Sequence, residues 1–361
     1  MYFDPRPKTS REDLFDREEE VERIKALRAP ITLVLGLRRA GKSSVILVAA
    51  SEMPHPVVYI DARRFEAEPY LTFKHVAEAL GEALAQPMRR FPKLREYLKN
   101  VNGISVAGFE VKISWRERGS LVEVLEWLNR WAEENGRKAV VVIDEAQELT
   151  KLKGYNLLKL LAYSYDNLRN VYYVMSGSKM GLLKKFLKLE DAGSPLYGRY
   201  MEVVELRPFT LEEAKRFLEE GCRQYGVPPP DAEKVYRAVG GLPGWLTYFG
   251  YTYVSVRDEE ESIRQTVSYA VDLIKQEFAH FLEGKWAAEK RYRVIMEAAA
   301  ECAAWSELKR AVEASEGRRI NDAEITRLLK NLVDYGFLEK RGDLYCPPDP
   351  LIAAAFRKKY R

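Results

Sequence analysis

Apolar residues change rhythm near position 208 of the chain. Upstream, short and mostly apolar blocks alternate with stretches of helical spacing. Downstream, helical spacing continues alone until a brief alternation close to the end. The upstream blocks are Ile31–Leu35, Pro56–Ile60, Ala139–Ile143, Val171–Met175 and Met201–Leu206. They predict strands, and Ala139–Ile143, apolar on both faces, predicts a central strand of a parallel sheet covered by helices on either side. The helical segments Val45–Ala50, Phe73–Ala85, Leu121–Glu134, Leu157–Asn167 and Leu182–Leu189 fall between them, as parallel strands require. Residues 1–13 read as a loose lead-in, because Pro5 and Pro7 discourage helix. Leu14–Ile24 opens an amphipathic helix with Asp16 as N-cap and Glu19 as its box partner. Residues 87–118 are broken by Pro87 and Pro92, and Ile104–Trp115 alternates around Gly108, which predicts a hairpin or a curved edge strand.

Past Pro208 the spacing predicts helices at Leu211–Tyr225, with Thr210 and Glu213 as a capping box, and at Asp231–Val239. A third starts at the turn Gly240-Gly241-Leu242-Pro243-Gly244, and a fourth covers Glu259–Phe281. Three more follow at Trp286–Ala303, Ser306–Ser315 and Asp322–Tyr335. Two short alternating runs then flank Arg341-Gly342-Asp343. The expected division is a sheet-containing domain over 1–207, a helical lid over 208–284 and a small domain of helices plus hairpin over 285–361.

Polar residues at the strand ends carry the chemistry. Ile31–Leu35 runs into Gly36-Leu37-Arg38-Arg39-Ala40-Gly41-Lys42-Ser43-Ser44, a Gly-x-x-x-x-Gly-Lys-Ser loop with an apolar helix behind it. Gly36 and Gly41 let the backbone curl so that successive N–H groups face phosphate oxygens, and the helix adds its positive N-terminal end. Lys42 supplies a point charge for the β- and γ-phosphates, and Ser43 a hydroxyl for Mg²⁺. About 100 residues later, Ala139–Ile143 ends in Asp144 and Glu145, at the strand edge where parallel sheets bind ligands. Asp144 is expected to hold Mg²⁺ through water. Glu145, turned the other way by strand alternation, is expected to polarise the attacking water.

Composition narrows the class. With 361 residues, 47% hydrophobic and 31% charged, the chain is expected to be a soluble multi-domain protein. No apolar run is long enough to span a bilayer, and the N-terminus is unlike a secretory signal, so a cytoplasmic location is expected. Cys222, Cys302 and Cys346 are scattered without metal spacing and read as reduced thiols. Residues 285–361 hold 16 Lys/Arg against 12 Asp/Glu, the whole net charge of +4. That excess suits a DNA-reading element only modestly, since Asp322, Glu324 and Asp334 accompany Arg327 and Lys330 on its third helix.

Taken together, the motifs resemble those of STAND and AAA+ ATPases, in particular archaeal single-chain members with a C-terminal winged helix. The resemblance covers about residues 12–350. Leu14-Phe15-Asp16-Arg17-Glu18-Glu19-Glu20 is similar to the group's hydrophobic-Gly-Arg-Glu-x-Glu adenine-side motif, with Asp16 in place of Gly, and implies Phe15, Asp16 and Arg17 near the base. Gly241-Leu242-Pro243 resembles the Gly-x-Pro signature, which implies Pro243 against the adenine. Most AAA+ relatives, including archaeal replication-origin initiators, carry an arginine there instead. The resemblance also implies Ser176, in preference to Ser178, as a polar contact to the γ-phosphate or its water. It implies Arg199 as an arginine that answers to γ-phosphate, in cis or from a neighbouring subunit.

The fold so implied is α/β: a P-loop NTPase parallel sheet of the AAA+/ASCE type, followed by an all-α lid and a winged helix. The implied activity is a slow, Mg²⁺-dependent ATPase that works as a switch, holding ATP or ADP between the three domains. The alternative is an ATP-controlled DNA-binding protein like the initiators. The winged helix, which lacks the Met-His-Asp triad of its relatives, is expected to act as an internal clasp, to meet a protein partner, or to bind duplex DNA. A monomer and a nucleotide-dependent oligomer are both compatible, and no membrane contact is expected.

Overall fold

The computed structural model describes residues 1–99, 104–113, 120–178 and 180–357. After α1 (Glu18–Ala26) come β1 (Ile31–Leu35), α2 (Lys42–Glu52) and β2 (Val57–Asp61). α3 (Phe73–Arg90) and α4 (Pro92–Leu98) lead to the hairpin β3 (Ile104–Ala107) and β4 (Glu110–Ile113). α5 (Ser120–Glu134), β5 (Ala139–Asp144), α6 (Leu157–Asn167), β6 (Val171–Gly177), α7 (Met180–Leu187) and β7 (Glu202–Glu205) complete the first part. The five long strands form one parallel sheet in the order β2-β5-β6-β1-β7. Side chains of period two divide its faces. Ile31, Leu33 and Leu35 join a core with α3, α5 and α6, while Val34, Val142 and Val174 join a second core with α1, α2 and the later helices.

Of the two forms expected for the run around Gly108, the hairpin is the one found: Ile104–Ile113 makes a separate two-stranded sheet over α3, where Gly81 lies against the Val111 carbonyl. Residues 114 and 115 of the expected run lie outside the described residues. One local expectation needs correction, since no capping box forms at Asp16. The N-cap of α1 is Arg17, and Asp16 sits in the left-handed region at φ 49° with its carboxylate 3.0 Å from Arg216. Asp is one of the few residues that tolerate this conformation, which accounts for the Gly that the resembling motif carries there.

The helical part comprises α8 (Leu211–Gln224), α9 (Ala232–Val239), α10 (Pro243–Val256) and α11 (Glu259–Leu282). The Thr210–Glu213 box caps α8 as expected. Residues 1–13 are no loose lead-in. Phe3 is fully buried among α8 and α10, its ring packed on Gly221 and Gly250, where any Cβ would overlap it. From that anchor the segment crosses to α2, where the Lys8 N–H donates to Ser44 Oγ at 3.0 Å.

The last part is a winged helix: α12 (Glu289–Ala299), β8 (Ala303–Ala304), α13 (Trp305–Glu316), α14 (Asp322–Asp334), β9 (Glu339–Arg341), β10 (Leu344–Cys346) and a returning α15 (Pro350–Phe356). Its sheet order is β8-β10-β9. The register that pairs Tyr345 with Ala303 brings Cys346 opposite Cys302, and the two form a disulfide. Only Cys222 remains a free, buried thiol, which corrects the reading of three reduced cysteines. The winged helix is docked on the rest of the chain. Asp334, near the end of α14, abuts Gly181 of α7, where a Cβ would overlap it, and pairs with Lys185, while α15 packs along α11.

Candidate functional site

A cavity of about 460 Å³ opens at the C-terminal edge of the sheet, between the Gly-rich loop, the N-terminal segment and α10. The loop curls because Gly41 adopts φ 91° and Arg39 φ 68°. α2 then begins at Lys42, so its free N–H groups face the cavity. Lys42 is almost fully buried, and its ammonium donates to the carbonyls of Gly36 (3.0 Å) and Leu37 (2.9 Å) with Glu145 4.0 Å away. Burial lowers its pKa from the usual lysine range.

β5 ends in the two carboxylates. Asp144 has no exposed surface. Its Oδ2 accepts from Ser43 Oγ (2.6 Å) and from the Tyr59 hydroxyl (2.9 Å), and its Oδ1 from Ser176 Oγ. A serine hydroxyl and a carboxylate held this close are an oxygen donor pair of the kind that suits a hard divalent cation. Glu145 turns away from Asp144 because its backbone enters the left-handed region at φ 55°. Its Oε2 accepts from Ser178 Oγ (2.6 Å), Gln147 Nε2 (2.6 Å) and the Ser178 N–H (3.2 Å). Burial pushes the Glu145 carboxyl up, but Lys42 and these donors outweigh it and leave its pKa below the ordinary value. The group is therefore an anion with a fixed direction.

Of the residues singled out in the sequence, Phe15, Arg17, Arg38, Arg39, Ala40, Gly41, Lys42, Ser43, Ser44, Glu145 and Pro243 all line this one cavity. Asp144 lies behind Ser43, and Gly36 and Leu37 support Lys42 from below. Asp16 faces Arg216. Ser176 is buried, donating to Asp144 and accepting the Glu145 N–H at 3.0 Å, while Ser178 reaches the cavity wall and is the serine that meets the Glu145 carboxylate. Arg199 lies elsewhere. It forms an ion pair with Asp166 at 2.6 Å, before the first residues of β6 and β7, at the opposite edge of the sheet from the cavity. It is not among the residues that line the cavity.

Sequence reasoning missed several lining groups. Tyr2, Asp4 and Lys8 of the N-terminal segment, Arg63 beyond β2, and Trp245 and Glu277 of the lid all face the cavity. Arg39 ties three parts of the chain together. Its carbonyl accepts the Gly244 N–H at 2.9 Å, its guanidinium stacks 4.2 Å over Trp245, and it pairs with Glu277 at 2.6 Å.

Residues 14–249 match a family model described as an ATPase domain predominantly from Archaea. Residues 286–348 match the C-terminal winged helix-turn-helix domain of MCM proteins. Among solved structures, the chain is similar to the Walker-type ATPase PABY2304 of Pyrococcus abyssi, at 34% identity over 99% of each chain with a TM-score of 0.83. It is also similar in fold to the ORC2 protein of Aeropyrum pernix in its ADPNP–ADP complexes, at 13% identity over 98% of this chain and 96% of that one, with a TM-score of 0.60. No curated protein matches the chain.

Proposed function

Because the chain belongs to the family of ATPase domains found predominantly in Archaea, we propose that it binds Mg-ATP in the cavity above α2 and hydrolyses it as a conformational switch. The observation that carries this reading is the meeting of Lys42, Ser43, Asp144 and Glu145 around a single cavity end, from two stretches 101 residues apart. The loop amides and Lys42 bind the phosphates. Phe15, Arg17 and Pro243 border the part of the cavity that takes the nucleoside. Ser43 and Asp144 would hold Mg²⁺, which supplies charge neutralisation at the phosphates when bound. Glu145 orients a water and takes its proton, with Ser178 and Gln147 fixing the carboxylate.

The switch reading rests on what surrounds the loop. Residues 1–207 would be the nucleotide-binding unit and 208–284 its lid, joined through Arg39 to Gly244, Trp245 and Glu277. Residues 285–361 would act as an internal clasp, which the packing of Asp334 on Gly181 and of α15 on α11 supports. No helix among the described residues is long and apolar enough to cross a membrane. The test is phosphate release from ATP by the wild type and by Lys42→Ala. The wild type should turn over slowly and only with Mg²⁺, and the variant should neither bind nor hydrolyse. Equal turnover by the two would refute the assignment.

A further inference from the structure

We infer that Arg63 is a catalytic arginine supplied by the chain to its own site, donating to the γ-phosphoryl oxygens as charge collects there. The inference deepens the ATPase reading above and rests on it. β2 lies beside β5 with Asp61 in register with Asp144, so residues just past the two strand ends are neighbours at the sheet edge. A short helical turn, Ala62–Phe65, starts immediately after Asp61, and the Asp61 carboxylate caps it by accepting the Arg63 N–H at 3.0 Å. That turn carries the Arg63 side chain back over Asp61, whose two oxygens accept from Nε at 2.8 and 3.0 Å and from one terminal nitrogen at 2.5 Å. The same nitrogen stands 3.9 Å from Asp144 Oδ2, the oxygen that accepts from Ser43. Arg63 lines the cavity, and its side chain is 47% exposed.

Nothing in the core demands an arginine at this place. The Asp61 carboxylate grips the guanidinium in bidentate fashion, as Asp4 grips Arg6 on the surface, but here the fork is fixed beside Asp144 and on the cavity wall. The neighbouring cations are engaged otherwise. Arg38 and Arg39 both reach Glu277 of the lid, at 3.1 and 2.6 Å, and Arg17 donates to the Arg207 carbonyl. Arg199 stands at the far edge of the sheet. The lid turn Gly240–Gly244 carries no arginine of its own. In the hydrolytic step a water oxygen bonds to the γ-phosphorus, and its proton passes to Glu145. The bond from that phosphorus to the β,γ-bridging oxygen breaks, and ADP leaves with the electron pair. Negative charge spreads over the γ-oxygens along the way, and a fixed cation there lowers the barrier without strengthening ground-state binding to the same degree. Asp61 acts on this step only through Arg63 and is a positioning residue.

The experiment compares wild type, Arg63→Ala and Arg63→Lys as full-length chains, in steady-state phosphate release and in calorimetric binding of Mg-ADP with and without aluminium fluoride. Arg63→Ala should slow turnover by about a thousandfold. Arg63→Lys should recover only part of that, because an ammonium lacks the fork. Affinity for Mg-ADP should stay within about threefold, while the extra affinity of the aluminium fluoride complex, which mimics the transferring phosphoryl group, is lost. Turnover by Arg63→Ala within about tenfold of wild type would overturn the inference, and so would parallel loss of both binding affinities. A wild type that never hydrolyses ATP would instead overturn the ATPase reading itself, and this inference with it.

Discussion

The Gly244 N–H donates to the Arg39 carbonyl at 2.9 Å, so the first turn of α10 is hydrogen-bonded to the Gly-rich loop itself. A methyl group at Gly244 would stand 2.7 Å from Arg39 Cβ and 3.2 Å from its carbonyl oxygen. Gly244→Ala should therefore cost about 1–3 kcal/mol at this junction. Since the junction borders the cavity proposed for the nucleotide, ADP should also dissociate faster. Urea unfolding and fluorescent-ADP release measure the two effects, and both should move together.

The N-terminal segment should govern exchange in the same assay. Phe3 is seated without exposed surface between Gly221 and Gly250, and its neighbours Tyr2 and residues 4–8 line the cavity. Phe3→Ala removes a buried aromatic side chain worth about 3 kcal/mol or more. The segment should then lift from the lid, and ADP release should accelerate by about tenfold or more, by an effect that a Tyr70→Ala control on the surface does not share. Unchanged release would mean that the segment is only decoration.

Thiol counting checks the wing. Cys302 and Cys346 are joined, and Cys222 is buried, which pushes its thiol up to about 11. The native chain should show no reactive thiol, the denatured unreduced chain one, and the denatured reduced chain three. Reduction should cost the winged helix about 2–4 kcal/mol, the usual range for a bridge closing a loop of this order.

Asp349 gives a pH signature to the packing of α15. It caps α15 through the Leu351 N–H at 2.6 Å and is buried near Arg39 and Trp245. Burial pushes its carboxyl up from 3.8 to about 6 despite the opposing hydrogen bonds. The folded state thus favours the protonated form. The stability this contributes is fully present below pH 3.8, and it is lost as pH rises through about 6. Asp349→Asn keeps a cap without the charge. In urea unfolding it should exceed wild type by about 2–3 kcal/mol at pH 7.5, and by only about 1 kcal/mol at pH 4.5. A gap that does not change with pH would contradict the account.

The parallel sheet and the residues around its edge were legible because ligand chemistry and strand burial both write short local patterns. Gly36–Ser43 and Ala139–Glu145 can each be read without knowing what they pack against. The Cys302–Cys346 bridge could not be read that way, since it depends on the register of β8 against β10. Phe3 was equally hidden, because its socket consists of glycines more than 200 positions away, although two adjacent aromatics ahead of Pro5 were a usable signal. Ser176 was preferred over Ser178 from strand order alone. The left-handed backbone at Glu145, which turns that carboxylate towards Ser178, is not visible in a pattern of side-chain types. Arg199 lies away from the cavity for a topological reason, since the residue before a parallel strand lies at the edge opposite to the residue after one.

The most direct measurement sets phosphate release by Glu145→Gln beside its affinity for Mg-ATP. The amide keeps the shape and the contacts to Ser178 but has no basic oxygen for a water proton. ATP affinity should remain within about threefold of wild type, while turnover falls by about a hundredfold or more. Wild-type turnover in this variant, or loss of ATP binding in equal measure, would contradict the site as described.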